Sequence, residues 1–516
     1  MKRNKNILFI ALLLLIFTTS CEEFLSETPM DEISVDYIYS TPEGLEVGVN
    51  ALYNLQRSNN FPAGEGDELK VNAFFYVGTD LGLNRTWHRP YGSGHTAASF
   101  PARKWTLPYQ IIDRANAIIT NARKVDMEES QRNQILAEAR VIRGELYLDL
   151  IRMFDNILLD TIATTPENYK DSVVYEPADP ADVFKLIDSD LDFAIEHLDW
   201  NVEYGRYGQG AARHIRGKSA MWQGKWAEAA EQFDAIVDNG THHLLSDITK
   251  VFGPDLNHAE ALFVYQRDEV LGGNDGVAGG GGTWIGSMFT SRLYELSSGE
   301  IIATIENGGQ ALGWSFPNDY LRSLYDEEND KRFETYYYPL KLYVNNPEKP
   351  NYGEPLPESS YDDNFRRYHW SLKKFHDEEK PATTLNSYKD IIYYRFAETL
   401  LLGAEAHWRM DNENPQNAKA LEYINLIRER AGVPPFTSFD RDTYLEESAR
   451  ELAFEKNRWF LLKRMGLLVE RQNEHYRYGS NSTNVQPEPM APYMVRLPIP
   501  QSQIDLMGTF PQNEGY

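Results

Sequence analysis

The chain holds 77 acidic side chains in 516 residues, so paired carboxylates are the first chemistry to weigh. Glycoside hydrolysis needs two carboxyl groups about 5 to 10 Å apart across a cleft. Spacing along a chain does not reveal that pair, and so acidic a sequence supplies many pairs without meaning. Sharper signatures are missing: there is no H-E-x-x-H, no G-x-S-x-G and no phosphate loop. "GGNDGVAGGGG" lacks the Lys and following hydroxyl residue of a phosphate loop and reads as a flexible loop. "THH" (Thr241 to His243) and His258 are scattered loop positions without ligand spacing, so neither a metal nor a cofactor is expected. Binding has better support. A pyranose presents a face of C–H groups and a rim of hydroxyls, which an aromatic ring and Asn, Asp or Arg side chains complement. Two loop clusters offer that mixture. Asp80, Asn84, Arg85, Trp87 and Tyr91 form one; Trp284, Trp314, Asn318 and Tyr320 form the other. For each aromatic the competing reading is loop packing.

Composition narrows the field further. Apolar residues make up 42%, enough for a packed core, and aromatics 13%, with 31 Tyr and 10 Trp. The formal net charge is -26. A surface this acidic repels phosphate backbones, which argues against nucleic-acid partners and for solubility. Cys21 is the single cysteine, so no internal disulfide forms.

The first residues have a basic start and then eleven apolar residues, Ile7 to Phe17. That run is too short to span a bilayer but suits a secretory signal. Thr18, Thr19 and Ser20 before Cys21 resemble a bacterial lipobox, in which the Cys becomes an acylated N-terminus. Two or three acyl chains anchor firmly at ~0.8 kcal/mol per buried methylene. Glu22 and Glu23 resemble the acidic surface-export tags of Bacteroidetes lipoproteins. Residues 1–20 are thus read as a lipoprotein signal and 21–35 as a lipidated tether. No other apolar run is long enough to cross a membrane.

The elements that must carry the two clusters are mostly helices. "STPEGLEVGVNALYNLQ" opens one, with Thr41 as cap and Pro42 in the first turn. In "NQILAEARVIRGELYLDLIRMF", Ile135, Ala139, Ile142, Leu146, Leu150 and Met153 fall on one helical face. "DVFKLIDSDLDFAIEHL" repeats that period. Gly224, Trp226, Ala229 and Phe233 have the small-aromatic spacing of a tetratricopeptide hairpin. "RFAETLLLGAEAHWRM" and "NPQNAKALEYINLIRERAG" predict a second hairpin, with close approach at Ala404 and Ala406, Asn414 as cap, Pro415 opening the helix and Gly432 ending it. Residues 251–385 are rich in Gly, Pro, Asn and Tyr and read as loops with short strands and helices, placed where binding usually sits. The segment "ELAFEKNRWFLLKRMG", Glu451 to Gly466, reads as a half-buried ionic helix. Glu455 would face Arg458 and Trp459; Leu452, Trp459 and Leu462 would form its stripe; Arg458 and Arg464 would fork onto neighbouring carboxylates or carbonyls.

Taken together these blocks resemble the RagB/SusD family. "AEARVIRGELYLDLIRMF" is similar to its early helix, "GKWAEAAEQFDAIV" to its middle helix, and "YRFAETLLLGAEA" and "INLIRERAG" to its C-terminal half. "ELAFEKNRWFLLKRMG" and "LPIPQSQIDLMGTFPQNEGY" resemble its closing motifs. Lys456 and Asn457 stand where the family usually has Gly and a variable residue, Leu461 replaces a common Asp, and Met507 a common Asn. The resemblance implies a mainly α, SusD-like fold on tetratricopeptide-like hairpins: an N-terminal helical region at 36–250, a loop-rich ligand-binding region at 251–385 and a C-terminal helical region at 386–516. It implies a non-catalytic, surface-exposed outer-membrane lipoprotein, anchored through Cys21. Such a protein binds a glycan in the two loop clusters and passes it to a SusC-type TonB-dependent transporter. A protein-interaction scaffold and a peptide-capturing lid of the same transporter type remain alternatives.

Overall fold

The computed structural model describes residues 38–62, 74–84, 91, 95–100, 102–270, 282–295, 299–356, 367, 369–476 and 489–516. The signal, the tether, Cys21, Arg85, Trp87 and most of "GGNDGVAGGGG" lie outside them.

The N-terminal half is a stack of antiparallel helices. Helix α1 (Pro42–Asn60) begins where expected: the Thr41 hydroxyl accepts from the Gly44 N–H at 3.1 Å. Helices α2 (Arg103–Ala122), α3 (Glu129–Phe154) and α4 (Pro180–His197) follow and pack on it in sequence. The periodic face of α3 is buried as predicted, and from Ile135 onward the helix is wrapped almost completely. That burial forces its charges to pair. Arg143 forks onto Asp190 of α4, both bonds at 2.8 Å, and reaches Asn116 of α2 at 2.7 Å. Arg143, the second arginine of "EARVIR", is therefore a three-helix fastener.

Helices α5 (Gln209–Trp222) and α6 (Trp226–Asn239) form the first predicted hairpin, turning at Gly224 with φ +72°. Their close approach depends on Gly217, where an added Cβ would lie 2.5 Å from the Phe233 ring. The loop-rich segment contributes short elements: helices α7 (Ile285–Phe289), α8 (Asp319–Ser323) and α9 (Lys331–Tyr336). The second hairpin is α10 (Phe396–Met410) and α11 (Ala418–Ala431), and it packs against α6. Gly432 ends α11 in the left-handed region, φ +79°, as expected. The cap differs. Asn417 accepts from Ala420 N–H at 2.9 Å, while Asn414 turns the preceding loop through Gln416 N–H at 3.0 Å. The chain needs the extra turn before helical dihedrals begin.

Helices α12 (Arg441–Leu452), α13 (Arg458–Arg464), α14 (Leu468–His475) and α15 (Gln501–Met507) complete the chain. The ionic segment Glu451–Gly466 is not one helix. It breaks between α12 and α13, where Phe454 and Lys456 take φ of +63° and +71°. The break turns Glu455 away from Arg458 and onto Arg395 and Lys374. The stripe survives in two pieces, with Leu452, Trp459 and Leu462 all buried. Arg464 forks onto Glu405 at 2.7 and 2.6 Å, as its geometry suggested.

Strands are few. β1 (Gly82–Asn84) pairs antiparallel with β3 (Ser315–Pro317), Leu83 opposite Phe316. β2 (Ala261–Tyr265) pairs antiparallel with β4 (Ile391–Arg395). Buried ion pairs follow the same joins. Glu451 accepts from Arg332, Arg395 and Arg430, and Glu260 from Arg395 and Arg430. Burial alone would raise the Glu451 carboxyl. The guanidiniums, Arg430 foremost, hold it well below the usual range.

Candidate functional site

The β1–β3 ribbon brings the two loop clusters together. Asn84 at the end of β1 accepts from Ser315 Oγ of β3 at 2.9 Å, and its backbone N–H donates to the Tyr476 hydroxyl at 3.2 Å. Asn318 follows β3 and caps α8, accepting from Leu321 N–H at 2.9 Å. Its amide donates to the carbonyls of Asp80 at 2.8 Å and His475 at 2.9 Å. One Asn thus ties the bend before β1, the start of α8 and the end of α14.

Asp80 is the electrostatic centre. It is fully buried, forked by Arg458 at 2.8 and 2.6 Å and met by Arg471 Nε at 2.7 Å. Desolvation alone would raise its pKa. The guanidinium of Arg458, followed by that of Arg471, overcomes this and holds the carboxyl at about 2. Arg471 also donates to the Tyr320 hydroxyl. Tyr320 stacks on His475, ring centroids 3.8 Å apart and planes 20° from parallel. Both rings are half-buried. The result is an aromatic platform edged by a guanidinium and a hydroxyl.

The nine positions read as sugar contacts divide in three. Tyr320 and Trp284 reach the surface in part. Arg85 and Trp87 lie outside the described residues. Asp80, Asn84, Tyr91, Trp314 and Asn318 point into the interior instead of outward. Their polarity is explained by internal bonding: Tyr91, for example, donates to Gly78 O at 2.7 Å and accepts from Trp459 Nε1 at 3.2 Å. Trp284 stands at the start of α7, its indole held by Asn386 at 2.7 Å, while Met288 at the other end of that helix accepts from Trp314 N–H. Sequence reading missed Arg471 and His475. Their i, i+4 spacing on one short helix was the available signal.

A cleft of about 440 Å³ lies behind β3. Phe316 of the ribbon stacks on His369 in its wall, centroids 4.8 Å apart. The loop histidines behave differently: His242 Nδ1 and His258 Nε2 meet the backbone carbonyls of Ala259 and Val251.

Residues 272–516 match the SusD family. Over the full length of both chains, this protein is 26% identical to SusD-like protein P25 of Formosa agariphila. It is 22% identical to a SusD-like protein of Bacteroides ovatus, covering 89% of this chain and 82% of that one. The whole chain is thus similar to SusD-like proteins, and residues 272–516 match the SusD family itself. The solved structures agree on the fold. A laminarin-binding SusD-like protein superposes with a TM-score of 0.70 at 23% identity, covering 93% of this chain and all of the other. Surface glycan-binding protein A from Bacteroides thetaiotaomicron, in complex with laminarihexaose, superposes with a TM-score of 0.71 at 19% identity over 92% of this chain and 99% of that one.

Within the SusD-matching residues, Lys456 stands where the resembling motif usually has Gly, and the structure gives that position a physical meaning. Its φ of +71° is the left-handed conformation that glycine adopts without penalty. Here the side chain offsets part of that cost: the buried ammonium donates to Asn60 Oδ1 at 2.6 Å and lies 5.7 Å from the Phe75 ring.

Proposed function

We propose that this SusD-family protein is a non-catalytic, surface-exposed lipoprotein that binds a glycan and delivers it to a SusC-type TonB-dependent outer-membrane transporter. The observation that carries the reading is the Tyr320–His475 platform with Arg471 at its edge, at the meeting point of the two aromatic loop clusters. Ring surface covers the C–H face of a sugar, and guanidinium and hydroxyl groups satisfy its rim. Tyr320 and Trp284, with Arg85 and Trp87 of the adjoining loop, are the proposed contacts. Asp80, Asn84, Tyr91, Trp314 and Asn318 hold the backbone that presents them. The glycan-binding relatives of the same fold support the ligand class. Cys21 supplies the lipid anchor in outer-membrane lipid.

Electrophoresis of the full-length chain through gels containing laminarin and other polysaccharides tests this. One glycan class should retard the protein, and Tyr320→Ala should reduce the retardation without lowering the unfolding temperature by more than a few degrees. Free migration in every gel, or release of sugar by the purified chain, would remove the proposal.

A further inference from the structure

The loop between α3 and α4 presents apolar side chains that the fold does not cover. Ile162, Tyr169, Val173 and Val174 are between 60% and 71% exposed. On the helices of the scaffold such residues come singly, as at Val47, Met410 and Leu426. The loop is not frayed. Its base is closed by the Ala178 N–H, which donates to the Ile157 carbonyl at 2.8 Å. The Asp160 carbonyl accepts from the Tyr147 hydroxyl at 2.6 Å and from Asn116 Nδ2 at 3.2 Å. The Thr164 N–H donates to the Asp113 carboxylate at 2.7 Å. Thr509 Oγ1 donates to the Tyr175 carbonyl at 3.0 Å. That bond sets the end of α15, where Leu506 is 77% exposed, against the limb that carries Val173 and Val174. Large apolar groups held outward on so well-fastened a surface mark a contact with another molecule.

We propose that this loop and the end of α15 form the docking face for an extracellular surface of the transporter, one that carries apolar and basic side chains. The charge of the loop chooses the occupant. Glu167, Asp171 and Glu176 stand exposed among the apolar residues, against Lys170 alone. A second copy of this face would set acid against acid, and a lipid surface bearing phosphate would be repelled by it. A basic protein surface is attracted. The place of the loop in the fold selects which protein. Asp113, which fastens Thr164, also lies within electrostatic reach of the Tyr39 hydroxyl, as does Arg114. The Tyr39 ring lies against α1 and α2, so close that a Cβ added at Gly48 would fall 2.6 Å from it and 3.2 Å from Ile118. The chain thus enters the fold beside the loop. From Cys21 to Ile38 the chain spans at most about 60 Å when fully extended. The loop therefore belongs to the end of the molecule that a lipid at Cys21 draws toward the membrane, where a barrel partner sits. The inference rests on the lipoprotein and transporter reading and deepens it by naming the face that meets the partner.

The test uses the full-length chain in the cells that make it. Cys21 is the single cysteine and is acylated in this reading, so Val174→Cys supplies the one free thiol. A benzophenone maleimide is coupled to that thiol on intact cells and irradiated, and the adduct is identified by mass spectrometry. Met410→Cys, at a side chain 47% exposed on α10, is the control. The expected result is an adduct with a TonB-dependent barrel from position 174 and none from position 410. Val174→Asp should lower the amount of barrel recovered with antibody to this chain about ten-fold, the loss of one well-packed contact. Its unfolding temperature should stay unchanged, because the side chain is 71% exposed. Adducts from position 174 with a second copy or with lipid would overturn the face, as would equal barrel adducts from both positions or undiminished recovery with Val174→Asp. Recovery of a barrel without an adduct from position 174 rejects the face and keeps the transporter. Absence of any barrel rejects both.

Discussion

Replacing Arg458 by Ala removes three bonds at once: two to Asp80 at 2.8 and 2.6 Å and one to the Leu445 carbonyl at 2.7 Å. Breaking a buried ion pair from one side costs about 3–5 kcal/mol, because the partner charge is left uncompensated. Here Arg471 still touches Asp80 at 2.7 Å, so the lower end, about 3 kcal/mol, is expected. The carboxylate gives a second measure. Its fall from 3.8 to about 2 corresponds to roughly 2.5 kcal/mol. The folded-state pKa is depressed, so this stability is fully present above pH 3.8 and is lost as pH falls toward 2. Urea denaturation at neutral pH should therefore show Arg458→Ala destabilised by about 3 kcal/mol, with Arg458→Lys between it and the parent. Between pH 4 and 2 the parent should lose more stability than the Ala variant. Folded variant should still be retarded by the glycan that binds the parent. A stability within about 0.5 kcal/mol of the parent would refute the buried-pair reasoning, and lost retention in a stable variant would make Arg458 a ligand contact.

Two further outcomes follow from local geometry. Asn417→Ala should cost about 1 kcal/mol in denaturation, and Asn414→Ala clearly less, because only Asn417 bonds an N–H inside α11. Lys380 sits beside Ser287 and the carbonyls of Gly308 and Gln310, and burial, partly opposed by Asp377, pushes its ammonium down to about 8. With the folded pKa below 10.5, the folded state sheds the proton first. Stability should rise from about pH 8 to 10.5 in the parent, and that rise should shrink in Lys380→Met, as followed by thermal unfolding against pH.

Much of the scaffold was legible because local rules governed it. Thr41 caps, Gly432 terminates and the Ile135-to-Met153 face is buried, each decided within a few residues of chain. The break after Leu452 was not legible, since Phe454 and Lys456 adopt positive φ without being glycine and tertiary contacts enforce it. The site was half legible. Asp80 and Asn84 do meet Ser315 and Asn318, but chain spacing cannot show which side chains face inward. Asp80 looked like a sugar contact because its partner, Arg458, lies 378 positions away.

The ribbon has a consequence for biogenesis. Asn84 meets Ser315 across 231 positions, and Asp80 waits for an arginine 378 positions later. Contacts this distant form slowly and only after the intervening polypeptide has been delivered. A chain stopped before Arg458 would possess its helical stack and its ribbon yet carry an uncompensated carboxylate at Asp80. Products truncated within the last sixty or so residues should therefore be less stable and more readily degraded than the full chain.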